Sequence, residues 1–265
     1  MKRLCVVPIV AKWPGVTSDQ IKLLAMDTLQ SLPEDLAQHG DVGLVVADGT
    51  GGRAATWMRQ AFRVRAPVSK LASGAVWERL RYIRGPWRDE PALIRAAARQ
   101  IACESVLVVR PGATLDGSAK ELWARAEHHG IAWGRVHASH PIYGEIDYGH
   151  PLPDPAARPM GGAFDGQFQF MRCPVPPVCA LSRAQAVDLG DYPGFYLYDA
   201  AIRIRKAGRT PFYLDESVGK SRFIFPRHGE AWSEGESLKV HKEWNVFAPT
   251  EEPLENIVEE LSCKK

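Results

Sequence analysis

The chain has 265 residues, with 33 lysines and arginines against 31 aspartates and glutamates, a formal charge of +2, and 45% hydrophobic against 24% charged residues. That is the composition of a globular protein able to bury a sizeable core, and it excludes a disordered chain or a disulfide-stapled mini-fold. One large domain over residues 1–250, with a tail at 251–265, suits this length better than two equal domains.

No apolar run approaches the roughly 20 residues that span a bilayer. Lys2-Arg3 precedes only Leu4-Cys5-Val6-Val7 before Pro8, which is no secretory leader, so no transmembrane segment is expected. Cys5, Cys103, Cys173, Cys179 and Cys263 are odd in number and contain no C-x-x-C pair, so neither a disulfide framework nor a zinc ribbon is indicated and a cytoplasmic setting is expected.

In chain order, Leu4–Val10 reads as a strand, Ser18–Gln38 as a helix and Val42–Ala47 as a second strand. Thr17 or Ser18 can cap the helix, its apolar stripe is Ile21, Leu24, Ala25, Leu29 and Leu32, and Pro33 is expected to stop or kink it. Residues 53–62 suit a second helix, Pro91–Cys103 a third with proline near its start, Ser105–Val109 a strand, and Ser118–His129 a helix capped by Ser118. Alternating strands and helices predict an α/β fold with a mostly parallel sheet flanked by helices. Ligands of such sheets lie beyond the carboxyl ends of the strands, here Pro8–Trp13, Asp48–Gly52 and Arg110–Gly112.

Residues 141–178 are irregular, with eight prolines and five glycines, and a loop of that length suggests an acceptor-binding or lid region. Arg183–Leu189 resumes regular structure, followed by a helix Asp199–Ala207 ended by Gly208 and a strand Thr210–Leu214. Glu251–Glu260 has the pattern of an amphipathic helix.

The run Gly194-Phe-Tyr-Leu-Tyr-Asp-Ala-Ala-Ile-Arg-Ile-Arg-Lys-Ala-Gly208 puts Asp199 in the first turn of a helix. The partial positive charge there favours a carboxylate, and standing alone this is a helix-capping pattern. The run resembles the Glu-Asp-x-x-x-x-x-Arg-x-x-x-x-Gly stretch of family-2-type glycosyltransferases with the GT-A fold. The resemblance puts Asp199 on the catalytic base, Arg205 on the helix arginine and Gly208 on the turn glycine, while Tyr198 replaces the usual glutamate. Other pieces resemble that family in the same order over residues 4–222. Val6-Val7-Pro8-Ile9-Val10 matches its first strand and implies that Pro8 and Val10 lie beside the nucleotide. Leu44 to Thr50 matches its second strand and makes Asp48 the contact to the base.

Val106 to Asp116 resembles the strand that delivers the family's metal-binding Asp-x-Asp, but Arg110-Pro111-Gly112 stands there. A guanidinium cannot ligate a divalent cation, though it can neutralise a diphosphate. Lys220-Ser221-Arg222 stands where the family's late metal-ligand histidine belongs, so the resemblance implies no metal ligands. Arg110, Lys220 and Arg222 then bind the donor in a metal-independent transfer from a nucleotide sugar, a UDP-sugar first, to an acceptor hydroxyl with inversion. A catalytically silent nucleotide-sugar or polyanion binder on the same fold is the alternative of a different class. A nucleotidyltransferase would need acidic ligands that are missing.

Trp77-Glu-Arg79-Leu-Arg81-Tyr-Ile-Arg84-Gly-Pro-Trp87-Arg88 interleaves four arginines with aromatics. Arginines hold phosphates while aromatic faces stack on bases or sugars, and Trp77, Leu80 and Arg84 also have the spacing of a surface helix. The run keeps open a DNA acceptor, such as a hydroxymethylated base flipped from the stack, beside a saccharide or small-molecule acceptor. His128, His129, His137 and His140 lack metal-site spacing. Ser182 lies in no nucleophile elbow.

Overall fold

The computed structural model describes residues 2–13, 16–37, 42–65, 80–140, 144–148, 151–152, 167–168, 177–192 and 196–221. Strands β1 (Arg3–Ile9), β2 (Val42–Asp48) and β4 (Ser105–Val109) are almost wholly buried, as continuous apolar runs are in the middle of a covered parallel sheet. With β3 (Leu80–Arg84) they form its parallel half, in the order β3-β2-β1-β4. The sheet continues through β10 (Val178–Ser182), β6 (Ile131–His140), β11 (Phe212–Ser221) and β5 (Ala113–Leu115), with β7 (Gly144–Tyr148) paired to β6. β10 is antiparallel to both β4 and β6, and β11 is parallel to β6. Two reversals restore the direction, so β11 ends on the same edge as β1 to β4. A short pair, β8 (Pro151–Leu152) and β9 (Gln167–Phe168), stands apart.

The flanking helices are α1 (Ser18–Ala37), α2 (Arg53–Arg65), α3 (Glu90–Gln100), α4 (Ala119–His129), α5 (Arg183–Val187) and α6 (Tyr196–Lys206). The expected mixed α/β architecture is therefore observed. α1 opens with a reciprocal cap: the Gln20 amide donates to Thr17 Oγ1 at 3.3 Å, and the Thr17 amide donates to Gln20 Oε1 at 2.8 Å. At α3 the Ala92 amide donates to the capping Asp89 Oδ1 at 2.8 Å, and Pro91 sits in the first turn, where its missing N–H costs nothing. Trp123 of α4 and Trp133 of β6 are the largest fully buried side chains.

Four local expectations are corrected. α1 runs through Pro33 to Ala37, so the proline does not stop it, and Leu29, Leu32 and Leu36, all fully buried, hold it there; packing outweighs the one lost helical hydrogen bond. Ser118 makes no side-chain cap; its hydroxyl donates to Glu216 Oε2 at 2.6 Å. The expected strand at Thr210–Leu214 extends to Ser221, with register irregularities at Leu214/Ser217 and Ser217/Gly219. Leu80–Arg84 is a strand and not part of a helix, because five parallel pairings to β2 fix it there. The expected helix at Glu251–Glu260, together with Trp77, Arg79, Cys173, Arg222 and Cys263, lies outside the described residues.

Candidate functional site

The carboxyl ends of the strands gather two linked clusters. In the first, the Gly49 amide donates to Ile9 O at 2.8 Å and joins the ends of β1 and β2. Pro8 and Val10 are buried at that junction. Asp48, at the end of β2 and 0% exposed, accepts from the Thr50 amide and hydroxyl, both at 2.6 Å, and from the Gly52 amide at 2.9 Å. Its second oxygen also accepts from the Tyr82 hydroxyl. Those donors come from the loop and from β3, so Asp48 shapes the β2–α2 turn and ties it to the edge strand. Burial, and then the Asp48 carboxylate, push the Tyr82 hydroxyl up to about 12.

β3 leads into the same cluster. Arg81, Arg84 and Arg88 are exposed. A Cβ placed on Gly52 would meet the Arg84 guanidinium at 3.1 Å, and one on Gly49 would meet the Trp87 carbonyl at 3.0 Å. Arg84 and Trp87 therefore close over the end of β2. Trp87 itself is half-buried.

The second cluster stands at the end of β4. The Ala113 amide donates to Arg110 O at 3.0 Å, and Gly112 has φ +90°. With Pro111 second and glycine third, this is the pattern of a type II turn, which needs a positive φ at that third position. Thr28 of α1 fastens it. The Gly112 amide donates to Thr28 Oγ1 at 2.8 Å, and that hydroxyl donates to Ala113 O at 2.8 Å.

Arg110 does not reach the open surface. It is 0% exposed, with Nε donating to Glu90 Oε1 at 2.7 Å and its terminal nitrogen 2.6 Å from Glu90 Oε2. The pair is thus one charge-assisted hydrogen bond with a second close ion-pair contact beside it. Tyr196 Oη, also fully buried, donates to Glu90 Oε1 at 2.8 Å. Burial, and then the Glu90 charge, hold the Tyr196 hydroxyl well above its ordinary range, so it remains a donor. One carboxylate thus joins the end of β4, the first residue of α3 and the first residue of α6. Lys220 is exposed, and the pairing of Lys220 with Thr114 and of Ser221 with Ala113 sets it beside the same turn.

Asp199 lies in the first turn of α6 and is 2% exposed. Arg203, one turn on, donates to Asp199 Oδ2 at 2.5 Å and to Asp188 Oδ2 at 2.6 Å. The matched arginine, Arg205, has no described side chain; it is Arg203 that pairs with the aspartate. Asp-x-x-x-Arg at i, i+4 was readable as that pair, while the resemblance pointed two residues further. Glu90, Tyr196 and Arg203 were not anticipated. For Glu90 the sequence offered only an acid beginning a helix, with nothing to indicate a partner 20 residues away.

The acidic ligands that the resemblance associates with this turn are not there: the turn offers a guanidinium paired to one glutamate, which does not fit a divalent metal. Among the described residues no three His, Cys, Asp or Glu side chains are grouped to hold an ion. His129 Nδ1 lies 2.9 Å from Thr210 O and its ring packs against Phe212. Among the described residues, Cys5, Cys103 and Cys179 take part in no disulfide. No helix among the described residues is long and apolar enough to cross a membrane.

No family model matches this sequence, and no curated protein matches it. Solved structures do. S. aureus TarS 1-349 superposes with a TM-score of 0.54 at 13% identity, covering 93% of this chain and 65% of that one. The same protein in complex with UDP-GlcNAc gives 0.53 at 14%, covering 93% and 66%. A mannosyltransferase from Pyrobaculum calidifontis, in complex with GDP-Man and Mn2+, gives 0.51 at 14%, covering 86% and 58%. The chain spans about two thirds of the length of these TarS structures. At these identities the likeness establishes a shared GT-A-like fold.

Proposed function

We propose that this protein is a glycosyltransferase that moves a sugar from a nucleotide-sugar donor to an acceptor hydroxyl. The observation that carries the reading is the link from the β4 turn through Glu90 to the first turn of α6, where Asp199 stands. It ties the helix that carries Asp199 to the carboxyl edge of the sheet, which supports this reading. Two neighbours that hold UDP-GlcNAc and GDP-Man support a nucleotide-sugar donor, and a UDP-sugar is the first to test.

In this reading the nucleotide lies across the ends of β1 to β3. Pro8 and Val10 form its floor, the loop organised by Asp48 cradles the base, and Arg84 and Trp87 close the rim. Lys220, with Arg222 following it, meets the diphosphate as charge develops on the leaving group. Asp199 takes the proton from the acceptor hydroxyl as its oxygen attacks the anomeric carbon, and the sugar–phosphate bond breaks with inversion. The scheme routes no step through a metal ion, in keeping with the guanidinium–glutamate pair that stands at the end of β4.

A nucleic-acid acceptor is a second reading, favoured by the exposed Arg81, Arg84 and Arg88 around Trp87. The deciding experiment is a donor-hydrolysis and transfer screen over common nucleotide sugars, with and without EDTA. Turnover of one donor that survives chelation is expected. Binding without turnover would instead identify a silent nucleotide-sugar binder, and activity restored only by Mn2+ would refute the metal-free scheme.

A further inference from the structure

We infer that Tyr196 is a positioning residue: its hydroxyl, bonded to the Glu90–Arg110 pair, fixes the first turn of α6 to the end of β4 and thereby sets the place of the Asp199 carboxylate that this turn carries. The inference rests on the proposed transferase reading for its catalytic consequence, but not for the anchoring itself. Tyr196 and Asp199 are separated by three positions on one helix, so they lie on neighbouring parts of its surface within the first turn. The Tyr196 hydroxyl is the polar atom that ties this turn to Glu90, at 2.8 Å. Glu90 is in turn held by Arg110 through a hydrogen bond to the same Oε1 and an ion-pair contact at Oε2, so the anchor is itself fixed in the core.

The slot around Asp199 has little tolerance. A Cβ on Gly190 would meet Asp199 Oδ2 at 2.5 Å, so the backbone of the 188–191 loop lies directly against the carboxylate. That loop is pinned from α3, where Arg95 donates to Leu189 O at 2.5 Å and also pairs with Asp191. Arg203, on the same helix as Asp199, bridges that carboxylate to Asp188 of the loop. The loop against the carboxylate is thus fixed to α3, and Glu90, the acceptor for Tyr196, is the first residue of α3. A rotation or lift of α6 would move Asp199 relative to that loop. Misplacement of a catalytic group by about 1 Å can cost on the order of 100-fold in rate.

The test is Tyr196→Phe, which keeps the ring and removes only the oxygen. Amide hydrogen exchange of the peptide covering residues 196–206 should rise at least tenfold while the central strands keep their protection. With donor turnover as the second readout, kcat should fall at least tenfold while KM for the donor stays within about twofold. A second variant, Glu90→Leu with Arg110→Met, removes the acceptor and both charges together and should reproduce the same two changes. It covers the case in which the single variant folds poorly. Unchanged exchange in α6 overturns the anchoring, whether or not the wild type turns over any donor. Faster exchange with kcat unchanged overturns the link to Asp199. A wild type that neither hydrolyses nor transfers any donor removes the transferase reading and with it the catalytic half of the inference, while the exchange result still decides the anchor.

Discussion

The buried Arg110–Glu90 pair makes a strong and asymmetric prediction. Both side chains are at most 2% exposed, and two guanidinium nitrogens lie 2.6–2.7 Å from the two carboxylate oxygens. Arg110→Met removes one charge and leaves Glu90 ionised in the core, with only the Tyr196 hydroxyl to compensate. Breaking such a pair from one side costs about 3–5 kcal/mol, because the remaining charge is desolvated without a partner. For a domain of this size that corresponds to a drop in Tm of about 6–20 °C. Glu90→Leu, which strands the arginine, should cost a similar amount. The double variant Glu90→Leu/Arg110→Met removes both charges and should lie within about 1–2 kcal/mol of the wild type, since apolar replacement of a buried pair is often neutral. Urea titrations of the four proteins form a double-mutant cycle, and a coupling of several kcal/mol is the expected result. If Arg110→Met keeps wild-type stability and instead loses only donor affinity, the guanidinium serves the diphosphate and the internal pairing described here is not its role.

Asp199→Asn keeps the size and hydrogen-bonding reach of the side chain but removes its basicity, so transfer should fall by roughly 10²–10⁴ with the donor Kd unchanged in calorimetry; wild-type turnover would remove Asp199 from the chemistry. Lys220→Gln should weaken donor binding about tenfold or more, the worth of one charge-assisted contact, and equal Kd values would exclude it from the diphosphate site. Because the folded Tyr82 hydroxyl titrates near 12, above the ordinary value of 10, its contribution to stability is complete below pH 10 and is lost as pH rises towards 12. Urea midpoints of the wild type should therefore fall over that window more steeply than those of Tyr82→Phe, and parallel curves would contradict the bond to Asp48. Replacing Arg81, Arg84 and Arg88 by Gln should flatten the salt dependence of any DNA binding by up to about 0.9 log unit per lost phosphate contact; wild-type protein that binds no DNA at low salt eliminates a DNA acceptor.

How far the sequence disclosed this fold follows from where each strand lies in the sheet. β1, β2 and β4 announce themselves as apolar runs because both of their faces are covered. β3 ends the strand order and exposes Arg81 and Arg84, so Leu-Arg-Tyr-Ile-Arg has neither a clean alternation nor an apolar run. Its helical spacing is accidental, and only its pairing with β2 decides its state. β6 and β10 form the antiparallel junction of the sheet, and no local pattern marked them. In the site, single residues were legible and their relations were not. Asp199, Arg110, Lys220 and Asp48 stand out by type and position, but each acts through partners 2 to 106 residues away. The case of Arg110 has the widest consequence. Read alone, an arginine at the position of a metal-binding motif is a stand-in for the cation. Paired with Glu90 it forms a buried unit of zero net charge, which projects little positive potential towards a diphosphate. In the proposed transfer, the cation facing the diphosphate is then assigned to the exposed lysine that strand register brings to the same turn, Lys220. Arg110, through Glu90 and Tyr196, braces the helix that carries Asp199, the proposed base.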